Sequence, residues 1–156
     1  LSHARTEMEV LKELAGDDAA YRSLTLSWFE HSALKGLLDQ MADSGARVII
    51  TTDHGTVRVG SPIQVKGDRK TNSNLRYKVG RNLGYKSQDV FEVKDPLALG
   101  LPRPQVSSAY IFARENDYLV YPNNYHHFVQ YYRDTFQHGG ISLEEVIIPW
   151  VELDPI

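Results

Sequence analysis

The stretch "VIITTDHGT", Val48 to Thr56, sets an apolar run directly against Asp53, His54 and Gly55. A run of β-branched residues with no polar alternation reads as a buried strand covered on both faces, as in a parallel sheet. In open α/β sheets ligands collect beyond the carboxyl ends of the strands, so an Asp-His pair at that exit stands where a ligand would bind. Both side chains can reach one cation if the backbone turns sharply, and Gly55 permits such a turn by tolerating positive φ. A carboxylate oxygen and an imidazole nitrogen are ordinary zinc or manganese ligands. A polar turn that merely leaves a sheet would carry the same three residues, and the tripeptide alone does not separate the two readings.

Working outward, the segment before the strand has helical spacing. Tyr21, Leu24, Trp28, Leu34, Leu38 and Met41 recur every three to four residues, which predicts one long amphipathic helix capped by Asp17 or Asp18 and ending near Gly45. Residues 1–14 read as the tail of a helix, or a loop entering one, closed by Gly16. A helix leading into an apolar strand is the α/β pattern. Downstream, extended segments are expected at Thr56 to Val59, Ile63 to Lys66, Val90 to Val93, Ser108 to Ala113 and Tyr118 to Tyr121. The last two read as a hairpin around Glu115, Asn116 and Asp117. Tyr125 to Phe136 reads as a helix and Val146 to Val151 as a final strand. There is no internal repeat and no low-complexity tract.

Composition narrows the function classes. With 156 residues, 42% hydrophobic and 24% charged, the chain is long enough for one globular domain with a core. It has no run of eighteen apolar residues and nothing resembling a signal peptide, so the expectation is a cytoplasmic protein with no membrane partner. It has no cysteine. Thiolate zinc sites and thiol nucleophiles are therefore excluded, and any transition metal must be held by His, Asp or Glu. The net charge of -3 conceals an asymmetry. Arg58 to Lys86 holds eight basic residues against Asp68 alone, a charge of +7 that leaves -10 for the rest. Such a segment is either a solvated loop or a surface for an anion, of which phosphate is the commonest. Its interleaved Asn72, Ser73, Asn74, Tyr77 and Tyr85 favour binding, since bases stack on rings while phosphates meet Arg and Lys.

A second histidine stands in "FQHGGISLEEVIIPW", Phe136 to Trp150. Ser142 and Glu145 have the spacing of a capping box, so a short helix is expected to begin at Ser142 and leave His138 on a loop flexed by Gly139 and Gly140. Two histidines then lie on loops beside two separate strands. A solvent-exposed His138 on an ordinary glycine turn is the alternative.

In their order, "IITTDHGT" and "QHGGISLEEVIIP" resemble the alkaline phosphatase superfamily, and within it the PglZ family. "SWFEHS", Ser27 to Ser32, and "VKGDRKTNSNLRYKVGRNL", Val65 to Leu83, look like the PglZ domain of PorX-type response regulators. The resemblance spans nearly the whole chain and implies an alkaline-phosphatase-like α/β sheet flanked by helices. It implies two divalent cations, zinc by preference, with His3 and His138 on one and Asp53 with His54 on the other. It further implies that an Asp partner of His3 and the Ser or Thr nucleophile precede Leu1, so the chain is expected to be the C-terminal part of a PglZ domain. A receiver domain would lie further upstream in the same polypeptide, and a homodimer is possible. The activity implied is hydrolysis of a phosphate ester, with a nucleotide or oligonucleotide substrate, in a two-component regulator linked to type IX secretion.

Two cations about 3.5–4 Å apart can clamp the attacking and leaving oxygens of an in-line phosphoryl transfer. Arg76 and Lys78, with Lys70 and Arg69 behind them, are the expected substrate contacts to non-bridging oxygens. The rival reading is a signalling and binding module that retains the metals for structure or ligand sensing. His31 reads as a hydrogen-bonded structural histidine. His126 and His127 sit roughly 100° apart on one helix and do not share a site. Tyr125, Tyr131 and Tyr132 read as packing. The chain lacks a Gly-x-Ser-x-Gly elbow, a Walker A loop and a His-Glu-x-x-His motif, which weighs against serine hydrolases, NTPases and zincins.

Overall fold

The structure, a computed structural model, describes residues 15–68 and 71–155. The segment read as an N-terminal helix tail up to Leu14, and the site residues His3, Arg69 and Lys70, lie outside these residues. The fold is a mixed α/β arrangement whose described strands pair in four small ladders rather than in one sheet. By backbone proximity it divides into two units, residues 15–52 with 149–155, and residues 53–68 with 71–148.

In the first unit, two helices replace the single one expected: α1, Asp18–Glu30, and α2, Ala33–Asp43. The Asp17 carboxylate accepts the Ala20 amide at 2.7 Å and caps α1, as its position suggested. The break comes at His31 and Ser32. The His31 amide closes on Trp28 at 3.2 Å, and Ser32 Oγ accepts the Lys35 amide at 3.3 Å, starting a new helix. Helical periodicity continues across the break, so the apolar pattern concealed it. His31 is exposed, and its Nδ1 donates to the Ser27 carbonyl at 2.8 Å, a hydrogen-bonded residue at a helix end.

Strand β1, Val48–Thr51, forms where the opening stretch predicted it but in different company. It pairs antiparallel with the last strand of the chain, Trp150–Leu153, with Val48 opposite Leu153 and Thr51 opposite Trp150. The final strand thus starts later than Val146. A two-stranded ladder does not cover both its faces, and Ile49 and Ile50 are 50% and 38% exposed. The buried parallel strand expected here is therefore corrected to an exposed antiparallel one.

The second unit contains β2, Val57–Arg58; β3, Ser61–Gln64; β4, Tyr77–Gly80; β5, Val90–Val93; β6, Ala109–Ala113; and β7, Asp117–Val120. Helix α3, Tyr125–Tyr132, follows, then β8, Phe136–Gln137, and α4, Leu143–Val146; the Trp150–Leu153 strand is β9. Helix α3 stops earlier than expected, and Phe136 is in a strand. Strand β7, which runs parallel to β3, is covered on both faces. Tyr118 and Val120 pack with Val57, Val59 and Val129, while Leu119 faces the other way into Val65, Val90, Ile111 and Ala113. A period of two with both faces apolar is what this placement requires. Strand β6 is central between β4 and β5 and likewise divides its residues between two clusters.

The expected hairpin does not pair. The Asp117 amide closes a turn on the Arg114 carbonyl at 2.8 Å, but β6 and β7 then diverge. Leu75 and Arg76 wedge between them. Ala113 N–H donates to the Arg76 carbonyl at 2.8 Å and Leu119 N–H to the Leu75 carbonyl at 2.7 Å, taking backbone bonds that a hairpin would have closed across the turn.

Candidate functional site

The antiparallel pair β2 and β8 places two loops side by side. Val57 lies opposite Gln137 and Arg58 opposite Phe136, so the residues entering β2 approach those leaving β8. The His54 and His138 rings stack with centroids 4.0 Å apart and planes within 13° of parallel. These histidines lie 84 positions apart in sequence, so only tertiary structure brings them together.

Backbone contacts fix the Asp53-His54 loop. The Gly55 amide donates to the Glu145 carbonyl at 2.9 Å. A Cβ on Gly55 would lie 1.9 Å from the Glu144 carbonyl oxygen, so the need for glycine is close approach of two backbones. This corrects the expectation of positive φ, which Gly55 does not adopt. His54 Nδ1 donates to the Gly55 carbonyl at 2.9 Å, because a carbonyl can only accept. That bond leaves the lone pair on Nε2, which lies 3.8 Å from Asp53 Oδ1. The Asp53 side chain is 91% exposed.

The second loop is fixed by Glu145 and Asn74. Gly139 has φ +100, and Asn74 Nδ2 donates to the His138 carbonyl at 3.2 Å. The Gly140 amide donates to Glu145 Oε1 at 2.8 Å. Ser142 and Glu145 close the capping box reciprocally, as the spacing predicted. One buried carboxylate thereby ties the glycine turn to α4. Burial would raise the Glu145 pKa, but hydrogen bonds from Arg76, the Gly140 amide and Ser142 outweigh it and hold the carboxyl below its usual range.

Arg76 supplies the counter-charge. Nε and Nη2 donate to the two Glu145 oxygens at 3.0 and 2.9 Å. Nη1 donates to the carbonyls of Arg114 and Asp117, and Nη2 also to Glu115 at 2.7 Å. The residue is fully buried, and all five of its N–H groups meet protein acceptors. The geometry gives Arg76 a structural task, bracing the turn after β6 against the loop that carries His138.

Lys78 is also buried, but beside different groups. Its ammonium lies 4.2 Å from the centre of the Tyr121 ring and donates to the Asn72 carbonyl at 3.4 Å. Strand alternation explains the pair: Arg76 and Lys78 fall on one face, while Tyr77 and Val79 pack the other against Tyr110 and Phe112. Burial pushes the Lys78 amine down to about 8.

Of the expected metal ligands, the structure therefore brings His54 and His138 together with Asp53 beside His54, while His3 lies outside the described residues. Among the described residues no three His, Asp or Glu side chains converge as a metal site. The donors present do suit a hard or borderline cation. His54 has its Nδ1 engaged by a carbonyl, the usual arrangement of a ligating imidazole. Its Nε2 and the Asp53 carboxylate are separated by a little more than the roughly 3.3 Å that two ligands of a tetrahedral ion span. Sequence reading missed Glu145 and Asn74 as supports of the site. The Ser142 to Glu145 spacing signalled the cap but not the Arg76 pairing.

Residues 1–153 match the family model described as the BREX system PglZ alkaline phosphatase-like domain. The chain belongs to the PglZ family. A comparison with curated proteins returns no match. Among the described residues no helix is long and apolar enough to cross a membrane.

Proposed function

We propose that this chain contributes His54, His138 and Asp53 to a metal-dependent phosphoesterase centre, with His3 as a further ligand. The observation that carries the reading is the histidine stack. Parallel imidazoles 4.0 Å apart cannot both aim in-plane lone pairs at one ion, but they can serve two ions separated by a similar distance. Paired catalytic cations stand about 3.5–4 Å apart. His138 would then serve one cation with His3, and His54 with Asp53 the other. When bound, such cations, zinc by preference, polarise a phosphoryl oxygen and lower the pKa of a hydroxyl or water.

The chain's own residues hold that arrangement in place. The Gly55 carbonyl orients His54, and the Gly55 amide bonded to Glu145 anchors its loop. Asn74 and the Glu145 bond to Gly140 fix the turn beside His138. The family supports a phosphate ester as substrate. A nucleotide or oligonucleotide is supported by the +7 segment. A place in a response regulator linked to type IX secretion, with a receiver domain upstream and a possible homodimer, is supported by the resemblance of Val65 to Leu83 and Ser27 to Ser32.

The test is metal content and hydrolysis measured together on the intact protein. Zinc by mass spectrometry should fall in both His54→Ala and His138→Ala, each losing affinity by more than about 100-fold, beyond what loss of an outer hydrogen-bond partner costs. Hydrolysis of bis(p-nitrophenyl) phosphate should fall with it. Unchanged zinc stoichiometry in either variant would remove that histidine from the centre. Zinc and nucleotide binding without turnover in the wild type would select the rival, a signalling and binding module.

A further inference from the structure

A cavity of about 540 Å³ lies in the second unit, its lining including Lys78, Tyr121, Leu75, Leu119, Phe128 and Tyr132. Neither His54, His138 nor Asp53 lines it. Its volume is that of a site for a small organic molecule, and its walls are mainly apolar and aromatic. The Phe128 and Tyr132 rings, both in the lining, stand nearly parallel, 16° apart with centroids at 5.9 Å.

Lys78 is the anomaly in this lining. It is 1% exposed, and among the described residues no carboxylate lies within ion-pair distance of it. The hydrogen bond from its ammonium to the Asn72 carbonyl is long, and the Tyr121 ring offers a face but no charge. Lysine is almost never fully buried unless paired. The other charged groups of the lining, Lys66 and Asp68, are exposed. Arg76, its neighbour on the same face, shows the contrast: it is equally buried, but every N–H is matched and Glu145 balances its charge. A buried ammonium at a largely apolar cavity, with no carboxylate paired to it among the described residues, offers a bound anion a charge-assisted partner.

We infer that this cavity binds a small aromatic anion, its ring lying against the Phe128 and Tyr132 wall and its negative group paired with the Lys78 ammonium. The site is separate from the histidine pair and goes beyond the phosphoesterase reading. A carboxylate and a phosphate could both supply the charge, and the experiment distinguishes them.

The experiment is calorimetric titration of the intact protein with indole-3-acetate, its neutral counterpart indole-3-ethanol, AMP and adenosine. At least one anion should bind about tenfold or more tightly than its neutral partner, equivalent to about 1.4 kcal/mol. Preference confined to AMP over adenosine would make the ligand a phosphate, and preference for indole-3-acetate a carboxylate. Lys78→Met should abolish the preference while retaining a cooperative thermal transition, and Phe128→Ala should weaken both members of the preferred pair. The double variant His54→Ala/His138→Ala should bind the anion as the wild type does, so that loss of metal or turnover leaves this site intact. Equal binding of anion and neutral partner by the wild type, no binding of either anion at millimolar concentration, or an undiminished preference in Lys78→Met would each overturn the inference. Loss of anion binding in the histidine double variant would overturn its independence.

Discussion

Arg76→Met tests the structural role assigned to the most heavily bonded side chain in the site. The substitution keeps the length and apolar volume of the stem but removes five N–H donors from a fully buried position. Glu145 would lose the bonds at 3.0 and 2.9 Å and its counter-charge, keeping Gly140 and the two from Ser142. The carbonyls of Arg114, Glu115 and Asp117 would lose their guanidinium donor. Breaking a buried pair from one side costs about 3–5 kcal/mol, because the remaining charge is stranded. At about 2–4 °C per kcal/mol for a chain of this size, the melting temperature should fall by about 6–20 °C. Tyrosine near-ultraviolet circular dichroism is the suitable probe, since Trp28 and Trp150 both belong to the other unit. Glu145→Gln and the double variant complete a cycle whose coupling should exceed about 1 kcal/mol. Acid sensitivity supplies a second reading. The folded Glu145 pKa is depressed, so its contribution is present above the unfolded carboxylate value and is lost as pH falls through the folded one. Arg76→Met should lose that part of the acid transition. A cost below about 1 kcal/mol with additive singles, or a variant of native stability with weakened substrate binding alone, would refute the structural role and restore Arg76 as a substrate contact.

Gly55→Ala should destabilise the second unit by about 1–3 kcal/mol or more in urea denaturation, because its methyl would collide with the Glu144 backbone at 1.9 Å, which has no rotamer to yield. Gly36→Ala in α2, with open space around it, should instead stabilise by about 0.5–1 kcal/mol, and similar costs at the two sites would contradict the close approach. Lys78→Met should raise stability at pH 7. The folded amine titrates at about 8 against 10.5 when exposed, so the wild type is penalised while charged and recovers stability as pH rises from about 8 toward 10.5. The gap should be about 1–3 kcal/mol at pH 7 and close by pH 10.5, and a gap independent of pH would show that burial of the charge is not its cause.

Local signals carried through to the structure where the determinant is local. Asp17 caps α1 and the Ser142 to Glu145 box starts α4, because both are hydrogen bonds between residues three apart. The Val90 to Val93 strand fell on its expected residues for a similar reason, a short apolar run between turns. The order of Asp-His-Gly and His-Gly-Gly identified the family before any strand pairing was known. Pairing itself was not legible. The Val48 run has the composition of a buried parallel strand, yet its ladder partner is β9, and the parallel, doubly covered role falls to β7. The hairpin failed because Leu75 and Arg76, some forty positions upstream, compete for its backbone groups.

Sequence by itself determined which groups this protein has to work with: imidazoles and a carboxylate on loops, glycines beside them, and a cationic segment in an otherwise acidic chain. Tertiary structure decided their use. Two neighbouring cations of like charge and spacing took opposite roles, Arg76 because Glu145 and three carbonyls reach it, Lys78 because an apolar cavity and a tyrosine ring do. Charge and strand period place both on one face. What waits there is supplied by residues 40 to 70 positions away, and no pattern within the segment encodes their distance.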